Sequence, residues 1–221
     1  MAEGVDAIRS GALGSVPHGF LTRRGGVSTG VVAGLNVGLG NDDEPAALAQ
    51  NRQRAVAAVL PGARLVTLTQ VHCADAVVVD EPWDEHERPQ ADALVTAHRG
   101  IVLGIVTADC APVLLADAQA GVIGAAHAGW KGAHGGVIEA TLAAMERLGA
   151  RRASITAAIG PCIAQASYEV DGGFRDRFAA GDRRFFAKGK PGHFQFDLEA
   201  FVAAQLAAAG IGMIDPLGLD T

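Results

Sequence analysis

Three residues of this sequence have the types to do metal chemistry together. His72 stands in Thr69-Gln70-Val71-His72, Cys110 in Thr107-Ala108-Asp109-Cys110-Ala111-Pro112, and His127 in Ala126-His127-Ala128-Gly129-Trp130-Lys131-Gly132. Each lies beside an apolar, β-favouring run. His72 and His127 therefore read as closing strands, and Cys110 as following one. Two imidazoles and a thiolate suit a three-ligand zinc site with a fourth coordination position open for water or substrate. The same donors also suit copper. They are 38 and 17 residues apart, which matches no short metal-binding pattern. Taken singly, a strand-end histidine is more often a hydrogen-bonded packing residue, and a cysteine after an apolar run more often a small buried hydrophobe. A metal-free alternative makes Cys110 a nucleophile and His127 its base.

Other residues have weaker cases. Arg23 and Arg24, before Gly25-Gly26, could bind phosphate with the help of loop amides, although a surface turn fits as well. Trp130 is more often a packing aromatic than a stacking platform, and Lys131 is a solvated cation unless its pocket takes an anion. Cys73 adjoins His72 and its thiol could be an extra donor, but on an extended strand neighbours point to opposite faces, which favours packing away from the site.

The elements that position these residues can be read from pattern. Asn41-Asp42-Asp43-Glu44-Pro45 signals a helix start, and Pro61-Gly62 stops that helix after Leu60. Strand candidates follow over 65–71, 76–79, 101–107, 113–115, 122–126 and 154–159. Several lack polar alternation, as strands buried on both faces do. Helical spacing covers 137–148 and 198–209, each stopped by glycine. Helices flank a strand-rich centre without regular alternation, which predicts an α+β fold of mixed sheets between helices.

Composition sets outer limits. The chain has 221 residues, enough for one domain with a substantial core. Its formal net charge of −6 argues against non-specific binding to nucleic acid or anionic membranes. Three cysteines without CxxC spacing do not make a disulfide framework. The opening MAEGVDAIRS lacks a signal pattern, and the apolar stretch 100–130 is interrupted by Asp109 and Asp117. A soluble protein of the reducing cytoplasm is expected. The 29 glycines concentrate over 11–40 and 121–136, which predicts that these two segments line one pocket.

Whole phrases add a further reading. QVH, ADALVT, TADCAPVLLAD, AAHAGWKG and IGPCIAQASYEV occur in this order, preceded by LTRRGGVSTG, GLNVGLGNDDEP and Asn51-Arg52. They closely resemble the YfiH family, also called polyphenol oxidase or laccase-domain proteins, over residues 18–215. The resemblance implies a mixed fold with two β-sheets between helices and a metal site of His72, Cys110 and His127. It also implies a zinc-dependent purine nucleoside phosphorylase acting on adenosine, inosine and methylthioadenosine with phosphate, and deaminating adenosine. An older family label implies copper-dependent phenol oxidation. A multi-copper cluster needs many histidines, and this chain has seven, with no HxH pair.

Within that reading Asp109 and Glu169 are candidate proton shuttles, and Arg23, Arg24 and Lys131 candidate phosphate ligands. Trp130, Cys162 and Tyr168 are candidate pocket residues. Two departures stand out: Cys73 replaces the family's usual glycine after QVH, and the Phe-Ser-Tyr-Arg-Arg-like tail has no counterpart after Asp215. The expectation is one domain over 1–221 without that tail. The partners implied are a purine nucleoside and phosphate, with neither nucleic acid nor membrane.

Overall fold

The computed structural model describes residues 4–40 and 42–221. Asn41, the expected first helix-capping residue, and Met1–Glu3, within the segment read for a signal pattern, lie outside the described residues.

In chain order the strands and helices are β1 (Ala7–Ile8), β2 (Phe20–Leu21), α1 (Pro45–Val59), β3 (Arg64–Thr67), β4 (Ala76–Val78), β5 (Ala93–Thr96), β6 (Ile101–Gly104), β7 (Ala111–Asp117) and β8 (Val122–Ala128). There follow α2 (Trp130–Gly135), α3 (Val137–Arg147), β9 (Thr156–Ile159), β10 (Glu169–Asp171), α4 (Gly172–Arg175), β11 (Phe186–Lys188), β12 (His193–Phe196), α5 (Leu198–Ala208) and β13 (Met213–Pro216). A mixed six-stranded sheet in the order β13-β9-β7-β8-β5-β4 forms the centre. Its two edge pairs, β13–β9 and β4–β5, are parallel, and the three inner pairs are antiparallel. A parallel pair, β3–β6, and an antiparallel sheet, β10-β12-β11, complete the main layers.

Two of the uninterrupted apolar runs, β7 and β8, are buried on both faces as their lack of alternation predicts, all but one residue of each. The runs at β4 and β6 are mostly half-buried instead, β6 ending at Gly104, and the fully buried β5 is a strand the pattern did not predict. One face carries Val95, Val113, Leu115 and Val122 against Ile138, Leu142 and Met145 of α3 and Val202 and Leu206 of α5. Leu94 on the opposite face packs with Val79, just after β4, and with Val66 and Ile101 of the β3–β6 layer. Ala116 and Ala158 on that face pack with Leu13 and Phe20. Helix α1 lies beyond β3, so the order is helix, sheet, sheet, helix, the α+β arrangement expected.

Helix α1 begins with Pro45 in its first turn, where the missing N–H costs nothing, and ends before Pro61. Its buried residues are polar, Asn51 and Arg52. Asn51 donates to Ser28 Oγ, Gly34 O and Asn36 O and accepts from Val27 N–H. Arg52 reaches Val37 O and Thr67 Oγ1 and pairs with Glu85. This helix holds the Gly-rich N-terminal segment by hydrogen bonds more than by an apolar stripe.

The small sheet β10-β12-β11 was not anticipated from pattern. It carries a cluster of phenylalanines. Phe196, fully buried, touches Phe174, Phe178, Phe186 and Phe201 at ring-centroid distances of 4.7–5.7 Å. Aromatic burial and edge-to-face contacts stabilise this otherwise short-stranded region against α5.

Candidate metal centre

Strand register brings two of the three donors together. Ala111 pairs with Ala128, and Pro112 with His127. Side chains alternate faces along a strand. His127 therefore shares a face with Ala125 and Ile123, and Cys110 shares one with Pro112 and Leu114. Leu114 and Ile123 pack into the same cluster, which shows that both donors emerge on the face opposite α3. One residue beyond the Ala111–Ala128 pair, Gly129 stands against Cys110.

Two expectations about the donors are corrected. Cys110 does not follow a strand; it directly precedes β7, at the end of the 105–110 loop. His72 does not close a strand either. Strand β3 stops at Thr67, and His72 sits in a loop with φ 60°, a left-handed backbone that no other non-glycine described residue adopts. The alternation argument for Cys73 fails with it, because this segment is not extended. Cys73 Sγ instead accepts from Asp75 N–H at 3.4 Å, and Cys73 is outside the donor group.

The ligand atoms of His72, Cys110 and His127 all lie within 4.8 Å of one another. Cys110 Sγ is 3.8 Å from His72 Nε2, and the two imidazole rings meet edge-on at 4.8 Å. A tetrahedral zinc site separates its nitrogen and sulfur ligands by about 3.5 Å, so the donors stand close to the required spacing. His72 is exposed, Cys110 half-buried and His127 buried, which leaves the group open on one side.

Asp92, one residue before β5, ties the group together. This carboxylate is fully buried. Its Oδ1 accepts the His127 Nδ1–H at 2.7 Å. Its Oδ2 accepts from the backbone N–H groups of Val71 and Cys73, at 3.0 and 2.7 Å. Burial works to raise the Asp92 pKa, but the bonds from His127, Cys73 and Val71 outweigh it and hold the carboxyl below its ordinary value. Burial lowers the His127 pKa against the opposing pull of Asp92, so the ring is neutral, with Nε2 available as a ligand atom. Burial, with Asp109 and Asp92 nearby, pushes the Cys110 thiol up. A divalent cation would replace that proton and compensate the thiolate.

Gly129 gives the group its room. A Cβ at Gly129 would lie 2.7 Å from Cys110 Sγ and 3.0 Å from His72 Cδ2. The donor set, the carboxylate on the back of His127 and this cleared space all fit a zinc-type ion.

The remaining candidates separate. Asp109 is exposed beside Cys110 and accepts from Thr221 Oγ1 at 3.2 Å. Glu169 lies on β10 in an ion pair with Lys190 at 3.2 Å. Its neighbour Tyr168 has a hydroxyl pKa pushed up to about 12 by burial and by the nearby Cys110 and Asp109. Cys162 is buried after β9, its thiol pushed up to about 12 by burial and then by Glu199, Asp197, Asp220 and Cys110. Trp130 packs edge-on against Phe174, with Lys131 and Arg177 over its ring at 5.8 and 5.6 Å.

Arg23 and Arg24 are exposed in a turn held by other contacts. Gly26 backs directly onto the main chain of Gly34 and Leu35, and Arg54 donates to Gly25 O. Among the described residues no hydrogen bond, ion pair or ring contact joins Arg23–Gly26 to Gly129–Gly136. The cleft at Gly25 is lined by residues of the first sixty, Arg9 and Arg54 among them, and by none of 121–136, so that cleft is not the shared pocket expected; the two segments meet instead where Ile123 packs with Leu13 and Phe20. The glycines of the first segment allow chain to cross chain, and Gly129 clears space for side chains.

Asp92 was missed as a site residue although ADALVT was in plain view. The available signal was a carboxylate inside an otherwise apolar, fully buried run, which must have strong partners.

The fold and the donor group define a known class. A family model described as multi-copper polyphenol oxidoreductase laccase matches residues 17–221, and the chain belongs to this family. Its relatives include a purine nucleoside phosphorylase, ORF3, of Streptomyces griseus, 44% identical over 200 residues that cover 90% of this chain and 81% of the relative. A purine nucleoside phosphorylase of Deinococcus radiodurans is 43% identical over 214 residues, covering 96% and 81%. Among solved structures, Neisseria meningitidis protein NMB0706 superimposes with a TM-score of 0.87 at 31% identity, covering 99% of this chain and 88% of the other. YlmD from Geobacillus stearothermophilus gives 0.88 at 29% identity, covering 100% and 87%.

Proposed function

We propose that the protein is a zinc-dependent purine nucleoside phosphorylase. It cleaves adenosine, inosine and methylthioadenosine with phosphate to the free base and a pentose 1-phosphate, and deaminates adenosine as a side activity. The observation that carries this reading is the His72–Cys110–His127 group with His127 Nδ1 occupied by Asp92, in a chain whose relatives bear the phosphorylase name.

His72, Cys110 and His127 would hold the metal, and the chemistry a bound zinc supplies there is Lewis acidity. In phosphorolysis a phosphate oxygen forms the bond to ribose C1′ as the C1′–N9 bond breaks, and the departing purine takes up a proton. Asp109, exposed beside Cys110, is the better placed of the two proton-shuttle candidates, because Glu169 is engaged with Lys190. Trp130 and Lys131 follow Gly129 directly and are the nearer candidates for base and phosphate contact; Arg23 and Arg24 have no observed link to the site. Cys162 and Tyr168 would serve as pocket wall. A cytoplasmic setting belongs to the same proposal, and three cysteines that are all free thiols agree with it.

The family description favours a second reading, copper-dependent oxidation of phenols. Laccase-type oxidation uses several coppers, whereas the described residues contain one grouping of three donors. The metal-free Cys110–His127 hydrolase has less support: the thiol's neighbour is His72, and burial keeps the thiol protonated.

Incubation of zinc-loaded protein with adenosine, with and without phosphate, tests the proposal by chromatography. Adenine and ribose 1-phosphate should form only with phosphate, and inosine in either case. Formation of none of these products would overturn the proposal.

A further inference from the structure

We infer that Asp92 is the positioning residue of the metal centre, governing two of its three donors at once. The inference rests on the metal reading above and adds a residue and a mechanism to it.

The geometry divides the work between the two carboxylate oxygens. Oδ1 accepts from His127 Nδ1 at 2.7 Å. That bond requires the Nδ1–H tautomer, which leaves the Nε2 lone pair bare for a metal. A neutral histidine otherwise has a choice of tautomer, and the one with its proton on Nε2 cannot ligate through that atom. The partner of the second ring nitrogen sets this choice.

Oδ2 acts on the other histidine through the backbone. It accepts from Val71 N–H and Cys73 N–H, the residues on either side of His72. His72 itself has φ 60°. A side-chain-bearing residue holds such a backbone only when its surroundings over-determine it. Two charge-assisted bonds to one buried oxygen do so. The His127 N–H also donates to the Asp92 backbone carbonyl at 2.8 Å, fixing the strand register beneath. One fully buried side chain thus sets the tautomer of His127 and the loop that presents His72.

Asp92→Asn separates the two duties. The amide carries one acceptor oxygen and one NH2. With its oxygen on the Val71 and Cys73 amides, it turns the NH2 toward His127 Nδ1. That ring nitrogen must then accept, and the proton moves to Nε2. The loop bonds survive and the His127 ligand is blocked.

The experiment combines nitrogen-15 NMR of the histidine rings in metal-free protein with zinc titration against a chromophoric chelator. In the wild-type protein His127 should carry its proton on Nδ1, and in Asp92→Asn on Nε2. Zinc affinity of Asp92→Asn should fall by about 10- to 100-fold, with the folded state verified by circular dichroism. If that variant does not fold, the wild-type tautomer decides: a proton on Nε2 overturns the inference and one on Nδ1 supports it. Zinc bound equally by wild type and folded Asp92→Asn refutes this inference and leaves the metal reading standing. A wild-type protein that takes up no zinc refutes the metal reading and the inference with it.

Discussion

Gly129→Ala places one methyl group where the donors meet. The backbone at Gly129 has φ −69° and ψ 163°, which any residue adopts, so the substitution brings no backbone strain. Its effect is purely steric. The new carbon would stand 2.7 Å from Cys110 Sγ and 3.0 Å from His72 Cδ2. Relaxed non-bonded contacts are about 3.5–4.0 Å, so the thiol must retreat by about 1 Å. Metal–ligand distances tolerate about 0.2 Å, and the retreat therefore breaks the site. Overpacking costs about 1–3 kcal/mol of stability, which for a chain of this size is a fall of about 2–12 °C in Tm. Zinc affinity should fall by at least about 100-fold, beyond the loss of an outer partner. Gly135→Ala is the control, because its Cβ would meet Ala74 Cβ at an ordinary 3.6 Å. Chelator-competition titration and thermal melts of both variants measure these quantities. Gly129→Ala binding zinc within threefold of wild type would refute the steric reasoning.

Two further outcomes test the packing and the buried thiol. Phe196→Ala removes a fully buried ring from the phenylalanine cluster and should cost about 3–5 kcal/mol in urea unfolding; a loss under about 1.5 kcal/mol would show that the small sheet does not depend on this ring. Cys162 keeps its proton to about 12 in the folded chain, against an ordinary 9.0, so between these values the folded state binds more protons and stability falls as pH rises. The wild type should lose about 2 kcal/mol more than Cys162→Ala between about pH 8.5 and about pH 10.5, and parallel losses in the two proteins would contradict the assignment.

Local signals were read well where they are short-range in origin. Proline and Pro-Gly bounded α1, and glycine ended α3 and α5, because these residues act on their own backbone. The continuous apolar runs marked β7 and β8 as buried on both faces, since no other place in a fold accepts them. The types of His72, Cys110 and His127 pointed to a metal, because donor chemistry belongs to the side chain itself.

What the chain could not state alone was adjacency. Period-two alternation puts Cys110 and His127 each on a face, but only the pairing of β7 with β8 makes it the same face. Likewise, Asp92 is an acidic residue in an apolar phrase until β5 lies beside β8 and sets it against His127. The left-handed turn at His72 cannot be read from Gln70-Val71-His72-Cys73, because its cause is a carboxylate some twenty residues away along the chain. Arg23, Arg24 and Lys131 read alike as phosphate candidates, because local pattern carries no ranking among exposed cations. By itself the sequence determined which donors were on offer and where the regular elements begin and end. The tertiary structure decided which donors meet, because that depends on long-range strand pairing and on one buried charge that must find its partners.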